Sequence, residues 1–260
     1  MGKIIAITNQ KGGVGKTTTS INLAASFAAM KRKVLLFDLD SQGNATVGCG
    51  VDGKQIHYSS KQVLAQEITL QDAVIKTNGG FDLIATNQDL IVAEMQLLQD
   101  QQRDQRLKNI LDPIAAHYDY ILIDCPPSLS ILTVNALIAA DSVLIPVQCE
   151  YFALEGLSGL LNTVNQIRDT VNHKLHIEGL LRTMYDGRNR LAVDVSAQLL
   201  AHFPDRVYRT VIPRNVRLAE APSHGAPALH YDEKSQGAIA YLALAGEILR
   251  RKEAKKHARA

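Results

Sequence analysis

Lys3-Ile4-Ile5-Ala6-Ile7-Thr8, followed shortly by Lys11-Gly12-Gly13-Val14-Gly15-Lys16-Thr17, reads as a strand, a glycine-rich loop and the start of a helix. The glycines let backbone N–H groups converge on phosphate oxygens, and the helix that follows points its positive N-terminal end at the same anion. Lys16 can reach the outer phosphates and Thr17 can ligate Mg²⁺, so a nucleoside triphosphate is the natural ligand. The common phosphate-loop pattern G-x-x-x-x-G-K-[ST] needs glycine at position 10. Gln10 stands there, and a second lysine, Lys11, opens the glycine run instead. A further flexible cation beside a loop that already holds Lys16 needs a role of its own.

With Lys11 and Lys16 in place, the loop resembles the deviant Walker A box, K-G-G-x-x-K-[ST]. That box marks the family of chromosome- and plasmid-partition ATPases, division-site ATPases and the nitrogenase iron protein. The resemblance implies that Lys11 crosses a nucleotide-sandwich homodimer to touch the partner's phosphates. It also implies that Lys11, Gly12, Gly13, Val14, Gly15, Lys16, Thr17 and Thr18 form the nucleotide cradle.

Two more segments end apolar runs in carboxylates: Lys33-Val34-Leu35-Leu36-Phe37-Asp38-Leu39-Asp40 and Tyr120-Ile121-Leu122-Ile123-Asp124-Cys125-Pro126-Pro127. In an open parallel sheet, ligands bind beyond the carboxyl ends of the strands, where all three motifs would meet. A lone Asp after a buried strand is often a cap, and Asp38 taken singly fits that reading too. By resemblance Asp124 is the Walker B aspartate that holds Mg²⁺ through water. Asp38 joins Thr17 and Asp124 as a candidate metal residue, and Asp40 lies in switch I, placed to orient the attacking water alongside catalytic Lys11 and Lys16.

The subfamily is carried by longer matches. Asp40-Ser41-Gln42-Gly43-Asn44-Ala45-Thr46 resembles the D-P-Q-G-N-A-T box of chromosomal partition ATPases of the ParA/Soj type. Ile212-Pro213-Arg214-Asn215-Val216-Arg217-Leu218-Ala219-Glu220-Ala221-Pro222-Ser223 resembles their I-P-R-N-V-R-L-S-E-A-P-S. Ser41 replaces the usual proline and Ala219 a serine. Pro213 and Asn215 would then lie against adenine, making ATP/ADP the nucleotide, although a proline and a short amide after a strand also make an ordinary turn.

Net charge is only +2, so a nucleic-acid role must come from a patch. Seven arginines (Arg182, Arg188, Arg190, Arg206, Arg209, Arg214 and Arg217) stand between positions 182 and 217 against three acids, Asp186, Asp194 and Asp205. Such a cluster can neutralise phosphates without reading bases, and is equally what a solvated face looks like. Arg188 and Arg217 match DNA-contacting arginines of the subfamily, with Arg190 the near alternative.

The 260 residues, 46% hydrophobic and without a low-complexity divider, suit one ATPase domain over 1–260 with a short basic tail from about 250. No stretch reaches roughly 18 uninterrupted apolar residues, and the tail lacks large apolar side chains, so a cytoplasmic protein with no membrane anchor is expected, and the resemblance implies that it is nucleoid-associated. The first strand is expected to begin at Lys3, so no N-terminal helix-turn-helix is expected ahead of it. Cys49, Cys125 and Cys149 are odd in number and scattered, as reduced thiols are.

Alternating patterns predict a doubly wound, mostly parallel α/β sheet. About seven strands fall near 3–8, 33–38, 81–85, 119–123, 142–147, 176–184 and 207–212, and helices near 17–31, 103–117, 152–170 and 189–203. A last helix capped by Ser235 would place Ile239, Leu242, Gly246 and Leu249 on its packed face. The resemblance implies ATP-driven dimerisation, binding of double-stranded DNA without sequence preference, and hydrolysis stimulated by a ParB-like centromere-binding partner. A MinD-like membrane-cycling regulator and a ParA-like positioner of protein cargo are the rival readings.

Overall fold

The computed structural model describes residues 2–257, the side chains of 255–257 excepted. Strands β1 (Lys3–Ile7), β2 (Val34–Asp38), β3 (Val74–Lys76), β4 (Asp82–Ile84), β5 (Tyr120–Asp124), β6 (Ser142–Gln148), β7 (His176–Tyr185) and β8 (Val207–Pro213) form one sheet. Its order is β3-β4-β2-β5-β1-β6-β7-β8. Every pairing is parallel except β3 with β4. The helices are α1 (Lys16–Ala29), α2 (Asn44–Gly48), α3 (Ser60–Leu64), α4 (Leu90–Leu97), α5 (Arg106–Leu111), α6 (Ile131–Ala139), α7 (Ala153–Thr170), α8 (Arg190–His202), α9 (Val216–Glu220), α10 (Ala228–Tyr231) and α11 (Gln236–His257).

Both faces of the central strands are covered, which is why these strands read as unbroken apolar runs. Ile4, Ala6, Leu35, Phe37, Ile121 and Ile123 enter one core layer, and their neighbours Ile5, Ile7, Leu36 and Leu122 enter the other. The fold is therefore the expected doubly wound sheet. It adds a strand to the seven foreseen, because β3 is a three-residue antiparallel edge too short to leave a pattern. The helix expected over 103–117 is broken: Pro113 has no N–H to donate, and α5 ends at Leu111. Cys49, Cys125 and Cys149 are free and buried.

The last helix corrects the expected face. Ala238, Tyr241, Leu244, Ala245 and Ile248 are buried, whereas Ile239 is 48% exposed and Leu242, Gly246 and Leu249 are half-buried. Tyr241, Leu244 and Ile248 give that face the larger apolar surface to bury in the core beside α1 and β8, and Tyr241 and Thr19 of α1 share a hydroxyl hydrogen bond of 3.0 Å. Ser235 does cap the helix, its Oγ accepting from the Ala238 N–H at 3.2 Å. Further along, Glu247 accepts from the N–H groups of Arg209 and Thr210 at 3.0 and 2.9 Å, covering edge strand β8. Of the basic end, residues 258–260 lie outside the described residues.

The amino ends of the strands carry a buried charge cluster remote from the motifs. Glu178 pairs with Lys3 and lies 3.6 Å from His176 Nε2. Burial alone would push its carboxyl up, but hydrogen bonding to His176 and the charge of Lys3 outweigh burial and hold it at about 2. A depressed folded-state pKa contributes stability that is present above the unfolded value and lost as pH falls. Between about pH 5 and pH 2 the chain should therefore lose about 3 kcal/mol through this group. Urea unfolding across that range should show a shallower fall for Glu178→Gln; parallel curves would remove the assignment.

Candidate functional site

The carboxyl ends of β1, β2 and β5 bring the three motifs together, as Ile7 and Asp38 are both register partners of Asp124. The loop between β1 and α1 is fastened from two sides. Asn9 donates to the Pro146 carbonyl at 2.7 Å and accepts from the Lys11 N–H at 3.0 Å, while Thr183 Oγ1 on β7 donates to the Val14 carbonyl at 2.8 Å. Gly15, at φ 86°, caps α1 in the left-handed region that favours glycine, and no side chain caps the helix. Nothing stands within 4 Å of where a Cβ would lie on Gly12 or Gly13. The first-turn N–H groups of a 14-residue helix with no acidic residue in that turn thus face an open cleft of about 500 Å³.

That cleft is walled by Gly12, Gly13, Gly15, Lys16, Thr17 and Thr18 on one side and by Asp40, Gln42, Asn44 and Pro127 on the other. Lys16 is buried, its Nζ donating to the Lys11 carbonyl at 3.2 Å. Desolvation lowers its pKa, opposed by the charges of Asp124 and Asp40. Lys11 does not line the cleft; its ammonium is paired with Glu150 at 2.6 Å, both side chains being substantially exposed.

Asp38 and Asp124 are fully buried side by side, and burial raises both pKa values, with their mutual repulsion adding to the rise at Asp38. The two carboxyls are held differently. Asp38 Oδ2 accepts from the Thr46 N–H and hydroxyl at 2.8 and 2.7 Å, and Oδ1 accepts from the Asp40 N–H at 3.2 Å, so this residue ties down the segment that carries Asp40. Asp124 Oδ1 accepts from Ser20 Oγ at 2.7 Å, whereas Oδ2 is buried with no hydrogen-bond partner. A buried anionic oxygen of this kind, beside the Thr17 hydroxyl, fits a hydrated divalent cation. Among the described residues no cluster of three or more His, Cys, Asp or Glu forms a cation cage, so water and a nucleotide's phosphates would supply the other ligands. Asp40 is buried at the cleft wall, its Oδ1 accepting from the Gln42 N–H at 3.1 Å.

A second, mostly apolar cleft of about 210 Å³ adjoins the loop at Gly15 and Thr18 and is lined by Pro213, Asn215, Met184, Ile212, Leu218 and Tyr241. Asn215 Oδ1 caps α9 by accepting from the Arg217 N–H at 3.0 Å. The arginine cluster is divided by the fold. Arg182 is buried, donating to Ser196 Oγ and to the carbonyls of Tyr208 and Arg209, and leaves the expected surface set. Arg188, in the loop after β7, and Arg217, on α9, are exposed, Arg188 paired with Asp186 at 2.8 Å and Arg217 with Glu220 at 2.8 Å and Asp232 at 3.2 Å. Arg190, which opens α8, and Arg214, just after β8, are exposed close by in sequence.

Sequence reasoning missed Asn9, Ser20, Thr46, Glu150 and Thr183. Each acts through a partner between 8 and 169 positions away; Thr46 stood within the Asp40–Thr46 box but without this role, and the other four had no local pattern to mark them.

Residues 2–177 match the family described as AAA domain. The chain is 52% identical over 249 residues to the sporulation initiation inhibitor protein Soj of Bacillus subtilis, covering 95% of this chain and 98% of that protein. It is 50% identical over 252 residues to the chromosome partitioning protein ParA of Caulobacter vibrioides, covering 96% and 94%. The crystal structure of cobyrinic acid a,c-diamide synthase from Mycobacterium smegmatis with bound ADP and magnesium superposes with a TM-score of 0.86 at 36% identity, covering 97% of this chain and 96% of that one. Over nearly its whole length, and with the loop, the paired carboxylates and the sheet that set them in place, this chain belongs to the ParA/Soj family of chromosome-partition ATPases.

Proposed function

We propose that the chain, as one ATPase unit, binds ATP or ADP with Mg²⁺, dimerises face to face on ATP, binds double-stranded DNA without sequence preference, and releases it on hydrolysis stimulated by a ParB-like partner. The observation that carries the reading is the division of labour between two lysines. Lys16 is buried in the cleft wall, while Lys11 stands outside it, held by Glu150 at 2.6 Å, where an incoming copy could engage it. Exposed Tyr151 and Phe152 follow Glu150 directly, and exposed Val47 lies on the cleft rim, apolar surface that a partner copy would cover. ADP and magnesium in the M. smegmatis structure support the same ligands here.

In this reading the α1 N-terminus and Lys16 hold the β- and γ-phosphates, and Lys11 leaves Glu150 for the partner's phosphates. Mg²⁺ would be held by the Thr17 hydroxyl and, through water, by Asp124, with Asp38 close behind. When bound, that ion would supply positive charge against the phosphate oxygens. Asp40 positions the attacking water, its own main chain fixed by Asp38. Arg188 and Arg217 trade their intramolecular acids for DNA phosphates, supported by Arg190 and Arg214. No described helix is long and apolar enough to cross a membrane.

Size-exclusion chromatography with ATP, ADP or no nucleotide, followed by plasmid retardation of each fraction, tests dimer and DNA binding together. Arg188→Glu and Arg217→Glu should each leave ATP binding and dimerisation intact, weaken DNA binding by roughly tenfold or more, and lower the steepness of its salt dependence by about one unit. Wild-type retardation by both variants at moderate salt would move the DNA surface elsewhere.

A further inference from the structure

Three non-glycine residues have a positive φ among the described residues: Lys31 at 59°, Gln66 at 58° and Met184 at 49°. Lys31 and Gln66 each follow the cap of a helix, α1 and α3, where a left-handed residue commonly ends the helix. Met184 has no such reason, because it lies inside β7. The register there is irregular. Arg182 pairs with Val211 and Tyr185 with Pro213, so three steps along β7 match two along β8, and β7 carries one extra residue. A bulge of this kind beside a site re-aims a side chain, at the cost of an unfavourable backbone for any residue with a Cβ.

The re-aimed side chain falls between the two clefts. Met184 lines both the cleft of about 500 Å³ that holds Lys16 and the apolar cleft of about 210 Å³ that holds Pro213 and Asn215. Its Cε lies 3.8 Å from where a Cβ would stand on Gly15, so the thioether reaches the start of α1. A nucleotide with its phosphates at Gly12–Thr17 and its base between Pro213 and Leu218 must pass over Met184. The exposed lining at that end is mostly apolar, with Thr18, Thr183 and Arg214 as polar side chains beside Asn215, and Thr183 is committed to the Val14 carbonyl. Asn215 already spends its carbonyl oxygen on the Arg217 N–H, and Arg182 turns away into the core. Stacking and apolar contact therefore have most of the base to hold.

We propose that Met184 is a base-contacting specificity residue: the bulge in β7 turns its thioether under the nucleobase, giving purine nucleotides an advantage over pyrimidine ones. This rests on the nucleotide reading of the two clefts. A polarisable sulfur meets a ring favourably, and the two-ring face of a purine offers more contact than a single ring.

Calorimetry with ATP, UTP and inorganic tripolyphosphate on wild type, Met184→Gly and Met184→Leu tests the proposal. Glycine accepts the left-handed backbone freely, so Met184→Gly removes the side chain without adding strain. It should bind ATP roughly tenfold more weakly, bind tripolyphosphate as wild type does, and lose most of the preference for ATP over UTP. Met184→Leu should keep most of the ATP affinity through apolar contact. Equal weakening toward ATP and tripolyphosphate would overturn the proposal and make Met184 a support for the phosphate loop. Unchanged ATP affinity in Met184→Gly would overturn it outright. Wild type binding ATP no better than tripolyphosphate would overturn the base cleft itself, Pro213 and Asn215 included.

Discussion

Lys16→Ala is expected to abolish usable nucleotide binding, with affinity for ATP and ADP falling by roughly two to three orders of magnitude, about 3–4 kcal/mol. The size of the effect follows from where the ammonium sits. It is buried in the cleft wall, and among the described residues it makes one hydrogen bond, to the Lys11 carbonyl at 3.2 Å, which leaves donors for a phosphate bound in the cleft that it lines. Burial lowers its pKa in the absence of ligand, and a bound polyphosphate reverses that by adding negative charge. Lys11→Ala serves as the contrast: its cation is outside the cleft and paired with Glu150, so it should keep nucleotide affinity while losing the ATP-dependent dimer. Calorimetry for binding and light scattering for assembly separate the two. An ATP affinity in Lys16→Ala within a few-fold of wild type would reject the role given to Lys16.

Asp40→Ala should slow hydrolysis by roughly two to three orders of magnitude while leaving ATP able to assemble the dimer. Phosphoryl transfer asks the protein mainly to position groups and stabilise charge, so loss of the residue that orients water strikes the chemical step and leaves binding contacts in place. The structure explains why the rest should survive. Asp38 holds the segment independently, its Oδ2 accepting from both Thr46 donors, and Asp40 contributes to that tie with its main-chain N–H, which alanine retains. The side chain loses one local contact, to the Gln42 N–H at 3.1 Å. Single-turnover hydrolysis and oligomeric state measured on one sample decide the matter. A stable dimer with little phosphate release is the expected result; a monomer would assign Asp40 to tethering the switch instead, and near-normal release would remove the water-orienting role.

Much of the site was legible along the chain because its parts are local. A phosphate loop needs glycines and a lysine at fixed spacing before a helix, and Gly12 to Thr17 satisfy that within a single turn of backbone. The carboxylates Asp38 and Asp124 each close an apolar run, and a parallel sheet puts such ends side by side, as their register pairing bears out. The central strands were readable for the same reason: buried on both faces, they carry no polar interruptions. The short edge strand Val74–Lys76 and the break of α5 before Pro113 were harder, since three residues make no period and a proline's effect depends on where its helix begins.

Residue type and spacing thus determined the nucleotide loop, the carboxylate motifs and the alternation of strands and helices, all of which depend on neighbours within a few residues, whereas the order of the strands rests on pairings as distant as β1 with β5. Tertiary structure decided what depends on distant partners. It separated Lys16, buried in the cleft, from Lys11, paired with Glu150 139 positions away. It withdrew Arg182 into the core by offering its guanidinium two carbonyls and a hydroxyl. It turned the Tyr241, Leu244 and Ile248 face of α11 inward, since that is the face that meets the core packed around α1 and β8. It also distinguished two carboxylates that look alike in sequence: Asp38 is consumed by Thr46, while Asp124 keeps one buried oxygen without a partner, a difference that arises only when a strand, a switch segment and α1 converge.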